Sequence, residues 1–209
     1  PVKIAFNVDS FPEDKEVLLV GGISRIFGSL FRLLDGNPNF APEAIFLGDY
    51  AGKGMPSSKE RLFKFLRANE ALKNAKYKIR LDGGNLFING KAIKVYDGLA
   101  TPEQLKSLGI DYLIEATRQT HLSKKAGTER AKAKAAEEAV QSKRIQGYLS
   151  ASADLKVVVV TSEEDKNAEF GATIVNRINS KELAIGNSRL IVLGEPITAA
   201  TVTLQKIVT

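Results

Sequence analysis

The sequence predicts an α/β fold built on a mostly parallel sheet. Three observations carry that expectation. Short β-branched runs recur along the 209 residues, segments with helix signals separate them, and most of the runs are too uniformly apolar to alternate. Strands covered on both faces of a parallel sheet have that composition, and regular alternation of strand and helix belongs to layered α/β proteins. With 44% hydrophobic and 26% charged residues, the chain can bury a core without staples, as one soluble domain with at most a small appendage.

Val2 to Phe6 is the first apolar run and Val17 to Val20 the second. A helical candidate, Ser24 to Leu34, precedes the strand Ala44 to Leu47. Ser57 and Ser58 then place hydroxyl caps ahead of Leu62, Phe63, Phe65 and Leu66, which predicts a helix over Ser57 to Leu72. From Leu81 to Ile93 the pairs Gly83-Gly84 and Asn89-Gly90 punctuate strand residues, the cue for an antiparallel hairpin. Thr101-Pro102-Glu103 joins a cap to a proline at the first helical position and starts a helix reaching Ser107. Tyr112 to Ile114 reads as a strand, Thr128 to Gln146 as an alanine-rich helix, and Val157 to Val160 and Leu190 to Leu193 as two more strands. In the tail, Asn187 to Thr209, both Leu190 to Leu193 and Ile197 to Val208 are apolar and β-rich, with Pro196 breaking them; it either completes this sheet or adds a strand to a neighbour's.

Composition removes whole classes of chemistry. The sequence has no cysteine, so disulfides, thiolate metal sites and thiol catalysis are excluded together. Its single histidine, His121, leaves no second imidazole for a metal site and reads as a surface-loop side chain among Gln119, Thr120 and Ser123. No run approaches the ~20 apolar residues of a membrane helix, and the first residues, Pro1 to Phe6, resemble neither a signal peptide nor a presequence. The expectation is a soluble, intracellular protein, in the cytoplasm or in an organelle after removal of a targeting peptide. Net charge is +6, and Arg118 to Arg144 holds eight Lys/Arg against three Glu. Glu137 and Glu138 stand at helical neighbour spacing from Lys134, so this helix reads as a solvated or protein-contacting face, with a nucleic-acid patch as the alternative. No aromatic side chains interleave with its lysines, which weakens recognition of single strands by stacking. Phe27, Phe31, Phe40, Phe46, Phe63 and Phe65 read mainly as core, with an exposed partner surface as the other possibility.

The stretch from Asp82 to Asp154 resembles the second half of the NAD-binding domain of glyceraldehyde-3-phosphate dehydrogenases. Asp82-Gly83-Gly84-Asn85-Leu86-Phe87-Ile88-Asn89-Gly90-Lys91-Ala92-Ile93-Lys94-Val95-Tyr96 is similar to that family's "DGKLVVNGKAIKVF" hairpin. Ile110 to Thr117 resembles "VDYVIESTG", and Leu149 to Asp154 resembles "ISAPSAD". Nearer the start, Val2 to Asn7 is similar to the opening strand "VKVAIN", and Gly22-Ile23-Ser24-Arg25-Ile26-Phe27 to the "GFGRIG" turn. About fifteen residues separate these two pieces, so either Val2 to Asn7 is the first strand with an inserted loop, or Val17 to Val20 takes its place.

The resemblance implies a Rossmann-like, mostly parallel sheet flanked by helices over residues 1–160, with an inserted antiparallel hairpin, and a short β-rich extension over 161–209 packed on the same domain. It also implies a degenerate dinucleotide site at Gly22, Ser24, Asp49 and Thr117. Such a turn wants glycine where Ser24 and Phe27 stand, because side chains there crowd the pyrophosphate and push the helix off its strand. Asp49 falls where a ribose-binding carboxylate would, or serves as a turn residue, and Arg118 replaces the glycine after Thr117. The counterpart of the family's catalytic cysteine falls on Arg189 or Leu190, neither of which can attack an aldehyde. No catalytic residue and no metal ligand carries over. The expected function is that of a non-catalytic, dehydrogenase-like protein without a cofactor, acting as a structural or interaction subunit of a larger assembly. The alternatives are an NAD(P)-binding regulatory module without turnover, a nucleic-acid binder and an active oxidoreductase.

Overall fold

In the computed structural model, residues 2–8, 41–48, 59–60, 62–64, 79–117, 127–160 and 189–193 are described. They form one eight-stranded sheet: β1 (Ile4–Val8), β2 (Ala44–Leu47), β3 (Ile79–Asp82), β4 (Asn85–Ile88), β5 (Lys91–Asp97), β6 (Tyr112–Ala116), β7 (Lys156–Val160) and β8 (Leu190–Leu193). Two longer helices lie among them, α1 (Pro102–Leu108) and α2 (Gly127–Ala151). Spatially the strands run β3-β4-β5-β2-β1-β6-β7-β8. From β5 through β8 every neighbouring pair is parallel, whereas β3, β4 and β5 are antiparallel. Counted alone, the parallel strands stand in the order 3-2-1-4-5-6, which is that of a doubly wound, Rossmann-like α/β sheet.

The first strand is the early one. Ile4–Val8 sits at the centre between β2 and β6, and Val17 to Val20 lies outside the described residues. Its ends differ from the sequence expectation because Asn7, a polar residue that reads as a strand end, is inside the strand and fully buried. The hairpin is the first part of a three-stranded meander. Gly83-Gly84 and Asn89-Gly90 each join their strands as two-residue turns with positive φ at both positions, the twist that fits antiparallel neighbours. Leu190–Leu193 completes this sheet as the outer parallel strand beside β7.

Alternation sorts the core into two faces. Ala5, Ala44, Phe46, Leu113, Val157 and Val159 point to the side where Leu105 and Leu108 of α1 and Ile145, Tyr148 and Leu149 of α2 pack on them. Ile4, Phe6, Val8, Ile45, Leu47, Ile114 and Val158 point the other way and are buried as well. This double covering is why the central strands read as unbroken apolar runs. α1 begins as its sequence dictates: the Thr101 hydroxyl accepts from the Gln104 N–H, and the Gln104 side chain accepts from the Thr101 N–H. Residues 59–60 and 62–64 are helical, and Asp97, the last residue of β5, accepts the Lys59 N–H at 2.8 Å.

α2 is longer than its sequence cues. It runs on to Ala151, five residues past Gln146, because Arg189 reaches over from the turn before β8 and donates to the carbonyls of Leu149, Ser152 and Leu155. These are the orphan acceptors at and beyond a helix C-terminus, where a cation also suits the helix dipole. No helix among the described residues is long and apolar enough to cross a membrane.

Candidate functional site

In an open α/β sheet, ligands are received beyond the carboxyl ends of the strands, where the strand order reverses. Here that point lies between β1 and β6: the chain moves outward from β1 to β2 and β5, then returns through residues 98–101 and α1 to β6 on the other side. The carboxyl ends that frame it are Val8 on β1 and Ala116 on β6, followed by Thr117.

Just below this crest the two central strands put polar side chains opposite each other. Asn7 and Glu115 are register partners in the parallel β1–β6 ladder, both completely buried, and both lie on the face covered by α1 and α2. The Asn7 carboxamide donates to Glu115 Oε2 at 2.8 Å and to the Tyr148 hydroxyl at 3.1 Å, and its oxygen accepts the Ala100 N–H at 3.0 Å. Tyr148 in turn donates to the Ala100 carbonyl at 2.7 Å. Residue 100, part of the connection that crosses back at the switch point, is therefore held by both of its backbone polar groups. Glu115 Oε1 accepts from Arg144 at 2.9 Å and from the Thr117 hydroxyl, and Arg144 also donates to Thr117 Oγ at 3.3 Å.

Every acceptor oxygen of the buried carboxylate is thus supplied, one by an amide and the other by a guanidinium and a hydroxyl. Leaving such groups unpaired costs several kcal/mol, so a complete set is what keeps the charge tolerable inside. Burial, and secondarily the neighbouring Glu115 carboxylate, pushes the Tyr148 hydroxyl up to about 12, so the phenol remains a protonated donor to Ala100.

Of the four residues implied in a dinucleotide site, Thr117 is placed at the crest, with its hydroxyl turned onto Glu115 and Arg144. Gly22, Ser24 and Asp49 lie outside the described residues, as do Arg118 and His121. Arg189 and Leu190, matched to the family's cysteine, stand at the amino end of β8. That is the edge of the sheet opposite the crest, and the Arg189 guanidinium there caps α2.

Sequence reasoning missed Asn7, Glu115, Arg144 and Tyr148 as a group. The signal was a polar residue interrupting each of two apolar strands, Asn7 between Phe6 and Val8 and Glu115 between Ile114 and Ala116. The solvated face expected of α2 is its outer side, where Lys132 and Lys143 are exposed, but Glu138, counted with that face in the sequence, is buried on the inward side with Gln141, Ser142 and Ile145. Compared with known proteins, the chain matches no family model and no curated protein.

Proposed function

We propose that this is a dehydrogenase-like domain without turnover, working as a structural or interaction subunit of a larger protein assembly. One observation carries the reading: the buried carboxylate beneath the crest is already engaged by the protein itself through both of its oxygens. Glu115 is held by Asn7, Arg144 and Thr117. A general base has to offer a free lone pair within reach of a substrate proton, and Glu115, fully buried with both oxygens taken, does not. The absence of cysteine from the sequence supports the same reading, since the thiol on which aldehyde oxidation in the resembled family depends has no counterpart.

A second reading, an NAD(P)-binding regulatory module, is favoured by the strand order alone, because the 3-2-1-4-5-6 sheet places its crevice where dinucleotides bind in such folds. Fractionating a gentle lysate of the native cells and identifying what co-migrates with the chain tests the first reading. Co-migration with a stoichiometric set of other proteins well above 22.7 kDa is expected. Migration free of other proteins, or oxidation of glyceraldehyde 3-phosphate with NAD by the purified chain, overturns it. Thermal unfolding with millimolar NAD and NADP separates the second reading, since ligand at ~100 times its dissociation constant adds roughly 2.7 kcal/mol.

A further inference from the structure

The outward side of α2 carries a stripe that is complementary to itself. Glu129, Lys132, Ala136, Val140 and Lys143 recur at intervals of three and four residues, so they share one face of the helix, and all five are exposed. This face is opposite the buried side formed by Glu138, Gln141, Ser142, Ile145, Tyr148 and Leu149. Val140 is 63% exposed, more than any other large hydrophobic side chain among the described residues. Arg144 lies beside Glu115 near the carboxyl ends of the strands, and Arg189 grips Leu149 at their amino ends. The turns that precede Arg144 therefore run on past the carboxyl edge, for about 25 Å at the rise of an α-helix.

Counted outward from Ala136, the stripe is symmetric in position and opposite in chemistry. Four residues away lie Lys132 on one side and Val140 on the other; seven away lie Glu129 and Lys143. The two flanking positions three residues away are Ala133 and Ala139, both half-buried. A second copy of the helix laid antiparallel with Ala136 on the two-fold axis puts Glu129 beside the other copy's Lys143. The same step puts the aliphatic stem of Lys132 over the other copy's Val140. Three alanines along the centre let the backbones come close, and the Glu129–Lys143 charge pair is formed twice by symmetry.

We propose that this chain forms a two-fold dimer through the outer stripe of α2, antiparallel and centred on Ala136. The occupant is a second copy because the face complements itself: its one acidic position, Glu129, has Lys143 at the symmetric place, and its exposed apolar side chain, Val140, meets the stem of Lys132. The inference stands apart from the functional reading above, which concerns other proteins. A pair of helices over about four turns is at the small end of specific interfaces, so a reversible dimer with a dissociation constant on the order of 10 µM is expected.

Sedimentation equilibrium of the full chain from about 1 µM to about 1 mM tests it, together with E129K, K143E and the E129K/K143E double variant. The wild type is expected to pass from monomer to dimer across this range. Each single reversal should weaken association roughly tenfold, by replacing two attractions with two repulsions, and the double reversal should restore it. These are exposed helix positions, so unchanged melting of the monomeric variants is expected and shows that folding is not the cause. A wild-type monomer at every concentration overturns the proposal. So does a dimer that neither single reversal weakens, or one that the double reversal leaves broken.

Discussion

The two edges of the sheet are held by opposite means. At the amino edge the polar contacts lie near water: Asp111 accepts the Lys3 N–H, Glu43 pairs with Lys91 and Lys94, and Arg189 closes the end of α2. At the centre of the carboxyl edge, between β1 and β6, the polar groups are sealed inside, with Asn7, Glu115 and Tyr148 all buried and Arg144 mostly so. Exposed pairs exchange one set of partners for water and contribute little. Buried ones have no water to fall back on, so each member depends on every other. The same residue types thus serve as replaceable fasteners at one edge and as an indivisible unit at the other.

Four substitutions sharpen or break this contrast. The largest effect is expected from Arg144→Met, which strips a fully buried carboxylate of its cation. Urea unfolding should show a loss of about 3–5 kcal/mol. A loss below about 1 kcal/mol would mean that the carboxyl edge is no more interdependent than the amino edge.

Next comes Tyr148→Phe, which removes the donor to the Ala100 carbonyl and an acceptor of Asn7. A loss of about 1–3 kcal/mol is expected. The alkaline limb of stability should change with it. The Tyr148 hydroxyl is raised from the ordinary value of 10.0 to about 12, so its proton is held more tightly in the folded chain. The stability linked to that group is complete below pH ~10 and is lost as pH rises toward ~12, and the phenylalanine variant should lack this fall. Absorbance at 295 nm checks the assignment: one of the five tyrosines should ionise late in the native protein.

Arg189→Met should cost about 1–2 kcal/mol, since it frees carbonyls at an end of α2 that water can reach. Its mark is local: amide exchange in the last turn of α2 should quicken while the Asn7 and Glu115 amides stay protected. Equal loss of protection at both places would abolish the contrast between edges.

The smallest effect is expected at Glu43. Hydrogen bonding and attraction from Lys91, with Lys94 adding less, hold its carboxyl below the usual glutamate range. A depressed value means that its contribution is present above the ordinary range and is lost as pH falls through the folded-state value. Both lysines are about half exposed, so Glu43→Gln should cost no more than about 0.5 kcal/mol at neutral pH and nothing in acid.

Legibility in the sequence followed the same division. Ala44–Leu47 and Leu190–Leu193 have the bounds their apolar runs predict, and the two turn pairs and the Thr101 cap lie where local chemistry puts them. Those signals are short in range. What stayed illegible rests on partners far apart in the chain: Asn7 and Glu115 are 108 residues apart, and Asn7 and Tyr148 are 141 apart. Each looks like an interruption until its partner is known, which is why the strands around Asn7 and Glu115 read two residues short at their carboxyl ends. The end of α2 was misread for the same reason, since its cap is supplied by Arg189, 40 residues beyond Leu149.

Asn7 also acts as a proofreader of strand pairing. Without it, Ile4–Val8 would be an unbroken apolar ribbon able to pair with any other in the chain, at any shift that keeps its faces. With Asn7 in place, a two-residue slip along β6 would set its carboxamide against Leu113 and strand the Glu115 charge as well. Only one alignment of the two central strands answers both groups, so a single polar pair rejects the wrong sheets that so many interchangeable valines and isoleucines would otherwise permit.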